Sequence, residues 1–173
     1  MDCPTFSLQV RGKEHHFVGT QVMGIINVTP DSFYAGSRVT GEEALRRRVM
    51  QIVEEGGTMI DVGAYSTRPD AAEVSPQEEL DRLAQSLLFI RGELDRLGAQ
   101  DVLISEDTFR ASVAETCVKE LKADIINDVS GGTLDEEMFA TVARTKAPYI
   151  LMHMRGTPQT MQQLTQYDKP VTE

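Results

Sequence analysis

Five short apolar runs, each ending on a polar residue able to bind or react, set the frame of this chain. Met23-Gly24-Ile25-Ile26 ends at Asn27, and Met59-Ile60 ends at Asp61. Val102-Leu103-Ile104 ends at Ser105, two residues before Asp107. Ile125-Ile126 ends at Asn127-Asp128, and Tyr149-Ile150-Leu151-Met152 ends at His153. Apolar runs of this length read as buried strands, and the segments between them carry apolar residues at helical spacing. Alternating strands and helices imply a parallel sheet, whose ligands sit at the carboxyl ends of the strands. Five polar strand ends predict one functional face rather than five unrelated surface residues.

The linking segments supply helices. Thr40 with Glu43 reads as a capping box. It opens a helix whose apolar face is Leu45, Val49 and Ile52, stopped by Gly56-Gly57. Ser75-Pro76-Gln77-Glu78 opens the next, with Ser75 as cap and Pro76 in the first turn. Leu80, Leu83, Leu87, Ile90, Leu94 and Leu97 give that helix a stripe suited to lying on a sheet. Phe109, Val113, Cys117 and Leu121 mark a third helix with Cys117 toward the core, and Met138 with Val142 marks a fourth. The strands are expected over residues 21–27, 58–62, 102–105, 124–127 and 148–152. Residues 1–20 read as a lead-in with a hairpin around Arg11-Gly12-Lys13; His15 and His16 are surface residues there, with no third metal ligand nearby. Residues 21–173 read as one α/β domain. Right-handed crossovers suit either an open doubly wound sheet or part of a barrel, and a complete eight-fold barrel takes about 250 residues.

Composition narrows the function classes. At 173 residues, 40% hydrophobic and 25% charged, the chain can bury a real core. A formal net charge of -10 argues against a nucleic-acid partner, whose phosphates call for clustered Lys and Arg. No apolar stretch approaches the ~18 residues of a membrane span, and the first residues lack the order of a secretory signal. Cys3 and Cys117, far apart in sequence, read as free thiols in a reducing, cytoplasmic compartment.

Two loops carry the remaining signal. No phosphate-cradling glycine fingerprint follows any strand, against a nucleotide-hydrolase or dinucleotide reading. The segment Asn27-Val28-Thr29-Pro30-Asp31-Ser32-Phe33 offers an amide oxygen, hydroxyls and a carboxylate. These are hard donors of the kind Mg²⁺ accepts beside substrate phosphate. Ser66-Thr67-Arg68-Pro69 offers hydroxyls and a guanidinium fork, suited to phosphate or carboxylate.

These loops, with Ile60-Asp61-Val62-Gly63-Ala64-Tyr65, Ser105-Glu106-Asp107-Thr108-Phe109-Arg110, Ile125-Ile126-Asn127-Asp128-Val129-Ser130-Gly131-Gly132 and Met152-His153-Met154-Arg155-Gly156-Thr157-Pro158, form an ordered set. In order and spacing the set resembles the dihydropteroate synthase family over nearly all of the chain after Thr20. The resemblance implies a (βα)8 TIM barrel of the pterin-binding type, here about its first five βα units. It also implies a transferase of folate biosynthesis, the sulfonamide target. That enzyme condenses 6-hydroxymethyl-7,8-dihydropterin diphosphate with 4-aminobenzoate to 7,8-dihydropteroate and diphosphate. By the family pattern Asn27 binds Mg²⁺ beside the leaving diphosphate. Asp107 and Asn127 hold the pterin ring, and Asp107, Arg68 and Thr67 are the residues expected to act in catalysis. Thr67, Arg68 and Pro69, with Phe33, Asp31 and Ser32, form the loops that meet the diphosphate and the aminobenzoate. No nucleic-acid or membrane partner is implied, and the full-length family member is expected to be a homodimer.

The chain departs from the family at Asp70, where glycine is usual, at Ala35-Gly36-Ser37, and at Glu106, where a small apolar residue is usual. Glu106 is expected to face the helix layer or solvent, and to raise its neighbour's pKa or cost stability if buried. The family's later strands supply a further pterin-binding Asp, a Lys, and an Arg with a nearby His, none assignable before Glu173. The expectation is a chain lacking C-terminal strands that alone is poorly soluble or associates and has little or no synthase activity, because an open barrel leaves an unpaired edge and uncovered apolar helix faces. Asp61 is expected to order its loop, and His153 to be a satisfied core residue. Two other readings stay open: a related barrel moving a methyl group from methyltetrahydrofolate to a corrinoid, and a non-catalytic pterin-binding module.

Overall fold

The computed structural model describes residues 4–29, 38–65, 74–157 and 160–168. It opens with a hairpin of β1 (Thr5–Val10) and β2 (Lys13–Val18), paired antiparallel from Thr5↔Val18 to Val10↔Lys13. Its two-residue turn, Arg11-Gly12, has φ of 48° and 77°, the left-handed pair whose twist matches that of the flanking strands. One face of the hairpin is apolar. Val10 and Phe17 pack against Met59, Leu103 and Ile125, near the starts of three strands of the main sheet. Arg11 also reaches the buried carboxylate of Asp124 at 2.8 Å. The hairpin thus plugs the amino end of the sheet with hydrocarbon, leaving the carboxyl end as the polar face.

The main sheet is wholly parallel. Its strands are β3 (Met23–Asn27), β4 (Met59–Gly63), β5 (Leu103–Asp107), β6 (Ile125–Asp128) and β7 (Tyr149–Leu151), in the spatial order β3-β4-β5-β6-β7. Helices α1 (Arg38–Glu54), α2 (Pro76–Arg96), α3 (Ala111–Lys119) and α4 (Met138–Thr145) fill the crossovers. A doubly wound sheet reverses direction at a switch point; this order never does. Right-handed crossovers all stepping the same way lay every helix on one face and curve the sheet as a barrel wall. The packing shows that face. Ile26, Ile60, Val62 and Ile104 meet Leu45, Val49 and Ile52 of α1, Leu83, Leu87, Ile90 and Leu94 of α2, and Val113 and Cys117 of α3. Ile126 continues the layer against Ala111, Ala114 and Met138. Among the described residues, no helix is long and apolar enough to cross a membrane.

Local signals held where they were chemically complete. Ser75 caps α2 by accepting from Glu78 N at 3.2 Å, with Pro76 opening the helix. Helix α1 starts at Arg38, so Thr40 lies inside its first turn rather than at its cap. Helix α3 starts two residues after Phe109, because Thr108 Oγ1 accepts from Arg110 N at 3.2 Å and Asp135 Oδ2 takes the Ala111 N–H at 2.8 Å. Those bonds hold Thr108 to Arg110 in a turn and cap the helix behind it.

Candidate functional site

The parallel register sets the inner face in rows. Side chains alternate across a strand, so Ile26, Ile60 and Ile104, which face the helices, leave their neighbours facing inward. The registers Asn27↔Gly63, Gly63↔Asp107, Asp107↔Asn127 and Asn127↔Ile150 then form one row across five strands, at the carboxyl end. The tier beneath it is Ile25, Asp61 and Ser105.

Gly63 makes the upper row a site. A Cβ at this position would lie 3.2 Å from Asp107 Oδ2 and 3.6 Å from Asn27 Oδ1. The amide of Asn27 and the carboxylate of Asp107 therefore flank a stretch of bare backbone, a cradle that any larger side chain would begin to fill. Asn127 closes the far side of Asp107, and its Nδ2 donates to Asp61 Oδ2 at 3.2 Å. The three residues expected from sequence at this face converge on one patch.

The patch is electrostatically tense. Asp107 is pushed up to about 7, first by burial and then by the negative charges of Asp61, Glu79 and Asp128. Asp61, only 5% exposed, is also raised by burial, against the lowering influence of Ser105 and Asn127. Ser105 lies close enough to Asp61 to lower it, yet no hydrogen bond of normal geometry joins them, and Ser105 Oγ and Asp61 Oδ1 are both buried without a partner. At neutral pH the inner row thus holds a carboxyl poised between its two protonation states, able to accept from a ring N–H when ionised or to donate to a ring nitrogen lone pair or carbonyl oxygen when protonated.

The helix side supports this arrangement. Buried Glu79 of α2 accepts from Thr108 Oγ1 at 2.6 Å and pairs with Arg110. Arg110 Nη2 also donates to Val74 O at 2.8 Å, and Arg82 Nη1 donates to Ala64 O at 3.1 Å. These two arginines tie down both described ends of the segment that leaves β4. After β6, Asp128 accepts from Ser130 N, Ser130 Oγ, Gly132 N and Tyr149 Oη at 2.7–2.8 Å, which fixes the turn behind Asn127. Glu106 does face the helix layer, fully buried, with neither carboxyl oxygen hydrogen-bonded. Burial, followed by the charges of Glu79 and Asp107, holds its pKa well above the usual range, which favours its neutral form.

Asn27, Asp107 and Asn127 are brought together. Thr67, Arg68, Pro69, Phe33, Asp31 and Ser32, with Asp70 and residues 35–37, lie outside the described residues. His153 is a correction: it is exposed rather than a core residue, as Ile150, Leu151 and Met152 before it are, because β7 is the last strand in the sheet order, and its Nε2 is 3.0 Å from Tyr167 Oη. Asp61 accepts from the site residue Asn127, and most of the loop it was expected to order lies outside the described residues. A shallow polar recess lined by Arg155, Thr165, Gln166, Tyr167 and Asp168 lies past β7 and shares no residue with the row. Sequence reasoning missed Gly63, Glu79, Arg110 and Asp128 as contributors. Gly63, Arg110 and Asp128 lay within the strand-end motifs without a role assigned to them, and Glu79, within α2, left no signal.

An arc of parallel strands whose polar carboxyl ends form one cradle is the framework of a pterin-binding barrel, and the chain belongs to the pterin binding enzyme family, whose model matches residues 23–173. Within that family its likeness is to dihydropteroate synthases. It is 44% identical over 154 residues to the dihydropteroate synthase of Synechocystis sp., covering 89% of this chain and 51% of that protein. It is 49% identical over 143 residues to a folate synthesis bifunctional protein of Arabidopsis thaliana, covering 83% of this chain and 29% of the relative. Its fold matches the Xanthomonas albilineans dihydropteroate synthase solved with 4-aminobenzoic acid at a TM-score of 0.73 and 35% identity, over 94% of this chain and 54% of that one. The chain thus spans about half the length of its synthase relatives, and less of the bifunctional one.

Proposed function

We propose that the protein to which this chain belongs is a dihydropteroate synthase. In this reading the amine of 4-aminobenzoate attacks the exocyclic CH₂ of 6-hydroxymethyl-7,8-dihydropterin diphosphate, and diphosphate departs. The observation that carries the reading is the single row Asn27–Gly63–Asp107–Asn127 on the inner face, with its bare centre at Gly63. A flat heterocycle edged with N–H groups and ring nitrogens needs a matched set of acceptors and donors at one depth, which a carboxyl and a carboxamide on adjacent strands supply. The carboxyl of Asp107, held near neutrality, would bond the ring in either protonation state and favour the electron-rich ring that supports positive charge at the CH₂.

Asn27 suits Mg²⁺ in this scheme. Its Oδ1 borders the open cradle, and among the described residues no group of three or more His, Cys, Asp or Glu competes as a cage. Mg²⁺ commonly takes one or two protein oxygens and completes its shell with water and substrate phosphate, and when bound it would neutralise charge on the departing diphosphate. Thr67 and Arg68 are assigned to the diphosphate and the aminobenzoate, and Phe33, Asp31, Ser32 and Pro69 to closing over the second substrate, on the resemblance alone. A cytoplasmic location and homodimer formation by the whole protein are carried over in the same way.

The test is calorimetric titration of the chain with 6-hydroxymethylpterin diphosphate and Mg²⁺, beside Asp107→Ala and Asn127→Ala. Binding that both variants weaken by about tenfold or more supports the reading. Equal binding by all three proteins refutes it.

A further inference from the structure

We propose that Asp61 is a positioning residue that fixes the Asn127 carboxamide, so that Asn127 always offers its carbonyl oxygen and one N–H to the ligand. The inference deepens the pterin-binding reading and rests on it. The geometry is the contact from Asn127 Nδ2 to Asp61 Oδ2 at 3.2 Å, made one tier below the cradle, beneath the row that holds Asp107. Asp61 and Ser105 are register partners, 5% and 0% exposed.

An asparagine amide is nearly symmetric in shape, and its two ends differ only in donating or accepting. In open solvent either end can face a ligand. An ionised Asp61 removes that freedom, because a carboxylate only accepts and so must take an N–H. One Nδ2 hydrogen is then committed downward, and Oδ1 with the other hydrogen is left for the cradle. Turning the amide over would set Oδ1 against Asp61 Oδ2, two acceptors at hydrogen-bond distance in a site with little water. A ligand edge must therefore carry its own N–H opposite Oδ1, and an isomer with donor and acceptor exchanged meets a mismatch at both atoms. Ser105 Oγ does not hold Asp61 by a hydrogen bond of normal geometry, so the Asn127 contact is the described side-chain bond that engages Asp61.

The experiment uses the ¹⁵N-labelled chain, Asp61→Asn and Ser105→Ala, with the Asn127 carboxamide signals assigned by NMR and 6-hydroxymethyl-7,8-dihydropterin affinity measured by calorimetry. In the unaltered chain one Asn127 Nδ2 proton should resonate downfield and exchange slowly. Asp61→Asn, nearly isosteric but able to present either end, should abolish that signature and weaken pterin binding by about tenfold or more while leaving the circular dichroism unchanged. Ser105→Ala should keep the signature. A folded Asp61→Asn variant with unchanged affinity overturns the proposal. If that variant does not fold, the unaltered chain decides: averaged, rapidly exchanging Asn127 amide protons overturn the proposal, and a protected proton supports it. A protected Asn127 proton in a chain that binds no pterin refutes the functional reading and leaves the orientation by Asp61 standing.

Discussion

Asp107 should lower stability while supporting binding, and replacing it with Asn separates the two effects. Its carboxyl moves from 3.8 to about 7 in the folded chain, chiefly through burial and then through Asp61, Glu79 and Asp128. At roughly 1.36 kcal/mol per pH unit this corresponds to about 4 kcal/mol, an upper figure because the residue is only half-buried. The sign follows from the raised value. The folded state binds the proton more tightly than the unfolded state, so the contribution is fully favourable below pH 3.8 and is lost as pH rises to about 7. Above that it stays lost. Asp107→Asn has no proton to lose and so escapes this penalty. The stability difference between variant and unaltered chain should therefore grow by up to about 4 kcal/mol between pH 4 and pH 8, then level off. Carboxylates far from Asp107 titrate alike in both proteins and cancel, whereas Glu106, which the Asp107 charge raises, contributes to the difference in the same direction. Urea unfolding at a series of pH values measures the difference, and titration with the pterin diphosphate on the same samples should show binding reduced. A difference that stays flat from pH 4 to pH 8 would refute the account of Asp107 as a carboxyl strained by burial and like charge.

Three other perturbations probe neighbouring features. Gly63→Ala places a methyl 3.2 Å from Asp107 Oδ2 and 3.6 Å from Asn27 Oδ1, so calorimetry should show weaker pterin-diphosphate binding at a melting temperature within a few degrees of the parent. Glu106→Met fills the same volume without two unpartnered oxygens and should stabilise the chain by about 1–3 kcal/mol in urea. Because the folded pKa of Glu106 lies above its ordinary 4.5, that gain should increase as pH rises past this value. Arg110→Ala leaves Glu79 buried without its cation and should cost about 3–5 kcal/mol by the same assay, whereas changing the exposed pair Lys13–Asp101 should cost under about 1 kcal/mol.

How much of this was legible beforehand depends on the range over which each signal acts. Ser75-Pro76-Gln77-Glu78 announced the start of α2 because a cap is completed within four residues. Thr40 failed as a cap because the helix had already begun at Arg38. His153 misled because an apolar run does not reveal that its strand lies at the edge of the sheet: β7 is last in the order, and Ile150 and Leu151 on it are exposed as well. Asp61 and Asp107 look alike in sequence, each near the end of an apolar run, yet one lies in the lower tier and the other faces the cradle.

Local pattern and composition by themselves determined the order of strands and helices, the helical stripe of α2, the inward turn of Cys117 and a set of strand-end motifs specific enough to point to one family. Strand and helix patterns alone left an open sheet or a barrel possible, and only the family resemblance pointed to the barrel. Tertiary structure shows the singly wound order β3-β4-β5-β6-β7 and supplies the register that sets Asn27, Asp107 and Asn127 in one row. It alone also brought Glu79, Arg110 and Asp61 up against that row. The reason is physical. Apolar periodicity states which face of a strand is buried, but the depth at which two strands pair is set by helices packing across dozens of intervening residues, and a carboxyl's pKa is set by neighbours that only that packing supplies.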